Sequence, residues 1–305
     1  MELSQLEVFL AVARERRFSR AAEKLFRTQS AVSQTIRKLE DELGEALFDR
    51  SSREGVLTDA GKVLYEYAEK LINLRSEASE SLTELRELQK GKLVIAANEF
   101  TVLYLLPVLA EFQRLHPMVK IKVERALGSH IPDDVLRYAA EFGVLSYEPQ
   151  VLNLRSVVVY LDELVFVVPP KHPLAAAPQV SIRQLGVESF VAHIVSSPYR
   201  EKVIQLFKTL KTPLHMGVEL PTLQAIKQFV AMGNGVALVP GISVENEVAR
   251  RELVRIPVRE LQLKRKLRLI FRKDANLSHA ARAFLKVAEA VALERKGRYR
   301  FQREN

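Results

Sequence analysis

Gln29, Ser33, Gln34 and Arg37 fall on one face of the segment TQSAVSQTIRKLEDELG, Thr28 to Gly44, where a solvated helix would mostly carry Lys and Glu. Amides, a hydroxyl and a guanidinium are the groups that read nucleic acid. Gln pairs bidentately with adenine, Arg with guanine, and Ser reaches a base or a phosphate. A helix start at Thr28 would add a place that favours phosphate. The opposite face, Val32, Ile36 and Leu39, packs inward at helical spacing. On spacing alone two readings stay open: a helix that enters a DNA groove, or an ordinary three-helix bundle with a polar surface.

The elements that must hold this face are short helices closed by a hairpin. Ser4 with Glu7 reads as a capping box ahead of Leu6, Phe9, Leu10 and Ala13. Ser19 can cap a second helix through SRAAEKLF, whose small Ala21 and Ala22 allow a close crossing. Thr28 caps the third helix and Gly44 stops it. LFDRSSREGVLT follows as strand, turn and strand, with Arg50 and Arg53 placed to flank the third helix as a wing that reaches phosphate or minor groove. From Thr58 the pattern becomes one long helix. Leu64, Tyr67, Leu71, Leu74, Ala78, Ser81, Leu85 and Leu88 step by three and four, a heptad seam suited to a partner helix. Thr58 to Gln89 would span roughly 48 Å at 1.5 Å per residue, and Lys90 with Gly91 ends it. The seam predicts a homodimer.

Apolar strands then alternate with helical stretches: KLVIAA, VKIKVE, FGVLSY, LRSVVVY, ELVFVVP, SFVAHIV, PLHMGVEL, GVALVP and LRLIF, with VLYLLPVLAEFQRLH, DDVLRYA, YREKVIQLFKTL and LQAIKQFVAMG between most of them. This predicts α/β layers with largely parallel sheets, divided into two subdomains of about 92–161 with 265–291 and about 162–264, and a tail over 292–305.

Composition narrows the function. The 305 residues contain no cysteine, which removes disulfides, thiolate metal sites and cysteine nucleophiles. The N-terminus MELSQLEVFL lacks the features of an export signal and no apolar run is long enough to cross a bilayer, so a cytoplasmic protein is expected. The net charge of +9 suits a polyanionic partner, yet the first 57 residues hold ten bases against ten acids. Any basic footprint there must come from arrangement. The late clusters RELVRIPVRELQLKRKLRLIFRK and ERKGRYRFQREN read as solvated strand faces and a mobile tail. His116 and His172 stand alone before prolines, and no G-x-S-x-G, Walker loop or G-x-G-x-x-G occurs. We expect no metal site, no cofactor and no catalytic residues.

From Met1 to about Gln89 the chain resembles the N-terminal part of LysR-type transcriptional regulators. The run LEVFLAVARERRFSRAAEKLFRTQSAVSQTIRKLEDELGEALFDRSSREGVLTDAGKVLY carries the family's spacing of Phe9, Phe18, Ala21, Ala22, Leu25, Gln29, Ser33, Ile36, Leu39, Glu40, Leu47, Phe48, Arg50, Leu57, Thr58 and Gly61 without a gap. The remainder resembles the family's effector-binding domain through KLVIAA, LPVLAEFQRLHPMVKIKV, DELVFVVPPKHPLA and GNGVALVP.

The resemblance implies a winged helix-turn-helix over residues 1–58, a linker helix over 59–90 and, over 91–305, a periplasmic-binding-protein-like effector domain of two α/β subdomains. It also implies double-stranded promoter DNA as partner, read by a dimer or a dimer of dimers. Ser19, Arg20, Thr28, Gln29, Ser30, Ser33, Gln34 and Arg37, with Arg50 and Arg53 on the wing, are the DNA-binding candidates. Ser30 stands where many members have Pro. A small-molecule effector would bind between the subdomains, near Asn98, Thr101, Ser129, His193, Ser196, Ser197, Arg200 and Thr222. Two departures stand out: Glu99 in a loop where small polar residues are usual, and Glu141 where the family has Asp. A buried carboxylate at Glu99 would disfavour an anionic ligand. Other classes consistent with the composition are an architectural DNA binder, and a solute-binding or enzymatic α/β protein with a DNA-binding appendage.

Overall fold

The computed structural model of the chain describes residues 1–49, 55–86, 91–273 and 277–303, with backbone only for 80–86 and 303. The chain forms two compact units, one of Met1–Gly91 with Leu136–Ala139 and one of Lys92–Val135 with Ala140 onward.

The first unit holds α1 (Leu3–Glu15), α2 (Phe18–Lys24), α3 (Gln29–Leu43) and α4 (Asp59–Arg86). Thr28 caps α3 by accepting from the Ala31 amide at 3.2 Å, and Gly44 ends it at φ 70°. The other two expected caps shift. Helix α1 already starts at Leu3, with Glu2 as its N-cap and the Gln5 side chain returning to the Glu2 amide. Helix α2 starts at Phe18, leaving Ser19 inside the first turn, because Phe18 is drawn onto Phe48 at a centroid distance of 5.4 Å, with Phe9 on the same Phe48 ring at 5.5 Å. Buried Leu6, Val32, Ile36, Leu39 and Leu47 complete that core, with Leu64 and Tyr65 of α4 packed on it. Phe48 and Leu57 form the antiparallel bridge of the hairpin. Its tip, with Arg50 and Arg53, lies outside the described residues, as does Leu88 of the seam. Along α4, Tyr67, Leu71 and Leu74 stay exposed.

The second unit is built on β1 (Gly91–Ala97), β2 (Val119–Arg125), β3 (Phe142–Leu145), β4 (Leu154–Val168), β5 (Ser189–His193), β6 (His215–Leu220), β7 (Ala237–Pro240), β8 (Val254–Ile256), β9 (Lys264–Arg272) and β10 (Tyr299–Arg303). Its helices are α5 (Val102–Leu115), α6 (Ile131–Leu136), α7 (Pro198–Thr209), α8 (Leu223–Ala231), α9 (Glu245–Ala249) and α10 (His279–Arg295). The main sheet runs β10-β4-β9-β3-β1-β2, with β7 and β8 on the far half of β4, and β5 pairs with β6 separately. The expectation of largely parallel sheets is corrected. β1 with β3 and β5 with β6 are parallel, whereas β4 runs antiparallel to β7, β8, β9 and β10, and β3 antiparallel to β9.

The two segments LRSVVVY and ELVFVVP are one strand of 15 residues. Asp162 between them looks like a breaker but is buried against Arg265, which donates to it at 2.8 Å. The first half of β4 belongs to one lobe with β1, β2, β3, β9, β10, α5 and α10, around Leu93, Ile95, Phe112, Phe142 and Phe284. Its second half belongs to the other, with β7 and β8, around Phe166, Phe190, Phe207 and Val236. The last residues are no mobile tail up to Arg303: β10 pairs with β4, and Tyr299 packs on Tyr160 and Tyr104 at 5.0 and 5.9 Å.

Candidate functional site

On α3 the polar face is free for a partner. Gln29, Ser30, Gln34 and Arg37 are exposed and Ser33 is half-buried, while Val32, Ile36 and Leu39 are sealed in the core. Among the described residues, Gln29, Gln34 and Arg37 spend no hydrogen bond or ion pair on the protein. Thr28 faces outward but is used as the cap, and Ser30 Oγ lies 3.0 Å from Thr28 Oγ1. Ser19 and Arg20 are exposed on α2. Two residues of this unit were not singled out for the surface from sequence. Glu40, buried at the end of α3, accepts from the amides of Leu47 at 2.7 Å and Phe48 at 3.3 Å and so ties the wing to the helix. Phe26, in the turn before α3, is 98% exposed with φ 54°.

In the second unit a cavity of about 670 Å³ lies between the lobes. Its wall is mostly apolar, with Leu127, Leu145, Val203, Leu214 and Leu238, and polar groups gather at a few points. Asn98, Ser129, His193, Ser196, Ser197 and Arg200 line it, as expected from sequence; Thr101 and Thr222 do not. Thr101 is fully buried, its hydroxyl turned to Val144 O and Asn98, because the Asn98 side chain folds the loop by accepting from the amides of Phe100 and Thr101 at 3.0 and 3.1 Å. Thr222 accepts from the Ala225 amide and caps α8.

Most of the remaining polar groups are already committed. Ser197 caps α7, Ser196 donates to Glu201 at 2.9 Å, and Arg200 donates to His193 O at 2.7 Å and pairs with Glu219. Tyr199 and Tyr147 donate to Ser146 O and Gly128 O, both at 2.8 Å, and burial pushes both phenols above their ordinary pKa. Arg265 is 3% exposed, paired with Asp162 and stacked 5.1 Å from the Tyr199 ring. Burial pushes the Asp162 carboxyl up and the Arg265 guanidinium down, each opposed by the other's charge. Sequence gave no signal for Arg265, since its partner lies 103 residues away.

Residues 3–62 match the family described as bacterial regulatory helix-turn-helix protein, lysR family, and residues 86–292 match the LysR substrate binding domain. The chain belongs to the LysR family of transcriptional regulators. This LysR-type regulator is 31% identical to the RuBisCO operon transcriptional regulator of Allochromatium vinosum, over 93% of its own length and 94% of that protein. It also resembles solved structures: full-length CbnR complexed with its target DNA, with a TM-score of 0.71 at 20% identity over 95% of this chain and 99% of that one, and the regulatory domain of CcmR from Synechocystis in complex with 2-PG, with 0.61 at 24% over 66% and 97%. These likenesses carry the fold. As in the family, the helix-turn-helix unit is joined to an α/β effector-binding domain of two lobes. Among the described residues of this LysR-type regulator no helix is long and apolar enough to cross a membrane, and no group of three His, Asp or Glu could hold a metal.

Proposed function

We propose that this regulator is a cytoplasmic homodimer that reads two-fold related promoter DNA with the polar face of α3, under the control of a small organic effector held in the cleft between its lobes. The carrying observation is the division of α3: apolar residues wholly buried, and Gln29, Gln34 and Arg37 left without a partner among the described residues. A merely solvated helix has no need of amides there. Ser33, Ser19 and Arg20 lie on the same unit to meet phosphate, and Arg50 and Arg53 would extend the contact.

The dimer is supported by Tyr67, Leu71 and Leu74, three seam positions of α4 that stay exposed among the described residues. Two such dimers would form the tetramer. The chain is assigned no catalytic role. CbnR was solved with its target DNA and the CcmR regulatory domain with 2-PG, which supports DNA and a small ligand as partners of a chain of this fold.

The test is a genome-wide selection of fragments bound by the purified protein at physiological salt, since low salt inflates non-specific binding. A two-fold motif upstream of a few genes is expected, with RuBisCO operons the first promoters to inspect because of the relatives' names. Uniform binding without a motif would favour an architectural role. For the cleft, a metabolite screen that raises the thermal transition of the full chain is the check.

A further inference from the structure

We propose that Glu99 is a tethered competitor for the effector, and that the effector is an oxyanion-bearing molecule that replaces the Glu99 carboxylate at the start of α8. This rests on the cleft being the effector site. Glu99 follows β1 in one lobe, yet its Oε1 accepts from the amide of Leu223, the first residue of α8 in the other, at 2.9 Å. First-turn amides and the helix dipole favour a negative charge at that point. The same oxygen lies 2.8 Å from Nε2 of His193.

His193 is the second sign that a ligand belongs here. Its side chain is 9% exposed and lines the cavity. Its Nδ1 accepts from the Val195 amide at 3.0 Å, so Nε2 carries the proton and has to donate. Despite the short distance, that N–H is not aligned on Glu99, and Nε2 is buried without a hydrogen-bond partner. A buried donor without an aligned acceptor costs free energy that a better-placed oxygen would recover. Phe100 packs on the ring edge-on at 4.9 Å.

The other helix starts at the cleft are closed by local groups: α7 by Ser197, and the turn into α5 by Asn98. The start of α8, capped locally by Thr222, is filled in addition by a carboxylate from the opposite lobe, and that carboxylate is 23% exposed. Arg125 also lines the cleft and makes no hydrogen bond or ion pair among the described residues. Arg200 and Arg265 are already paired with Glu219 and Asp162, so Arg125 is the lining cation left to meet an anion once Glu99 has left. Glu99 in place repels an anion, and Glu99 displaced leaves a site made for one. Since it links the lobes, its displacement is also a change in what holds them together.

The apparent affinity of such a ligand is reduced by the fraction of molecules with the site free. If Glu99 holds it in nine of ten molecules, removal tightens binding about tenfold. The experiment is calorimetric titration of the full-length wild type, Glu99→Gln and Glu99→Ala with inorganic phosphate and with 2-PG as probes, alongside hydrogen exchange of the Leu223 amide. Both variants should bind at least one probe several-fold to about tenfold tighter, and the Leu223 amide should exchange faster in Glu99→Ala. Glu99→Gln keeps the size and one acceptor, which guards against loss of fold. Equal or weaker binding by folded variants overturns the competitor role. No binding by any variant overturns the oxyanion class, while the effector cleft itself stands or falls with the metabolite screen.

Discussion

At the residue scale, the carboxylate of Glu40 shows how the DNA-binding surface is kept in shape. Its two bonds to the Leu47 and Phe48 amides are buried, and hydrogen bonds to a charged group contribute about 1.5–3 kcal/mol each. Glu40→Ala should cost on the order of 3 kcal/mol in the unfolding of the helix-turn-helix unit, read by urea denaturation. Glu40→Gln, which keeps one acceptor oxygen, should recover about half of that loss. Equal losses would show that the carboxylate charge, and not the stem, is what Glu40 is held for. What was legible at this scale followed from reach. Thr28 and Gly44 were readable because their partners are within a turn. Thr101 was not, because whether its hydroxyl meets the cleft or Val144 O depends on a strand 43 residues on. Arg265 and Asp162 were invisible for the same reason.

At the element scale, one face of helix α4 is fastened to the helix-turn-helix core, from Gly61 through Ala68 and Ile72 to the Arg75–Glu7 pair, while Tyr67, Leu71 and Leu74 stay exposed. A Cβ on Gly61 would stand 2.1 Å from Leu47 O, so the first turn of α4 passes against the strand before the wing with no room for a methyl group. Gly61→Ala should therefore destabilise this unit by about 1–3 kcal/mol, the range for forced overpacking, and lower its thermal transition. An unchanged transition would mean that backbone shifts absorb the methyl at no cost.

Further along, Leu71 and Leu74 expose 39% and 44% of their surface, apolar area that a partner helix would cover. Charges at both positions, Leu71→Glu with Leu74→Glu, should give a monomer in sedimentation equilibrium. Affinity for a two-fold DNA site should fall about 100-fold because the second half-site is no longer tethered. A folded double variant that still sediments as a dimer would place the interface elsewhere. The heptad was readable because it repeats; the strand order was not. Only 3 residues form β8, and β10 was hidden among the charges of ERKGRYRFQREN, where Tyr299 and Phe301 alternate with Arg300 and Gln302.

At the scale of the whole molecule, the question is which charges DNA feels. The net charge of +9 lies entirely after residue 57, since the first 57 residues balance ten bases against ten acids. If the overall field held the DNA, binding would depend on the effector unit's charge and would be blind to single substitutions on α3. If the contacts of α3 hold it, the salt dependence counts phosphates neutralised by named side chains, with a slope of about −0.9 per phosphate on B-DNA.

Arg37→Ala separates these at once. As a base reader, Arg37 should cost about 1–3 kcal/mol per half-site on the preferred sequence and nothing on others, with the slope unchanged. As a phosphate contact, its loss should weaken every sequence alike and flatten the slope by about 2 for the dimer. Its place among exposed amides, one turn from Ser33, favours the first outcome. No change in affinity or slope would remove Arg37 from the interface and return the affinity to the distributed charge of the effector unit.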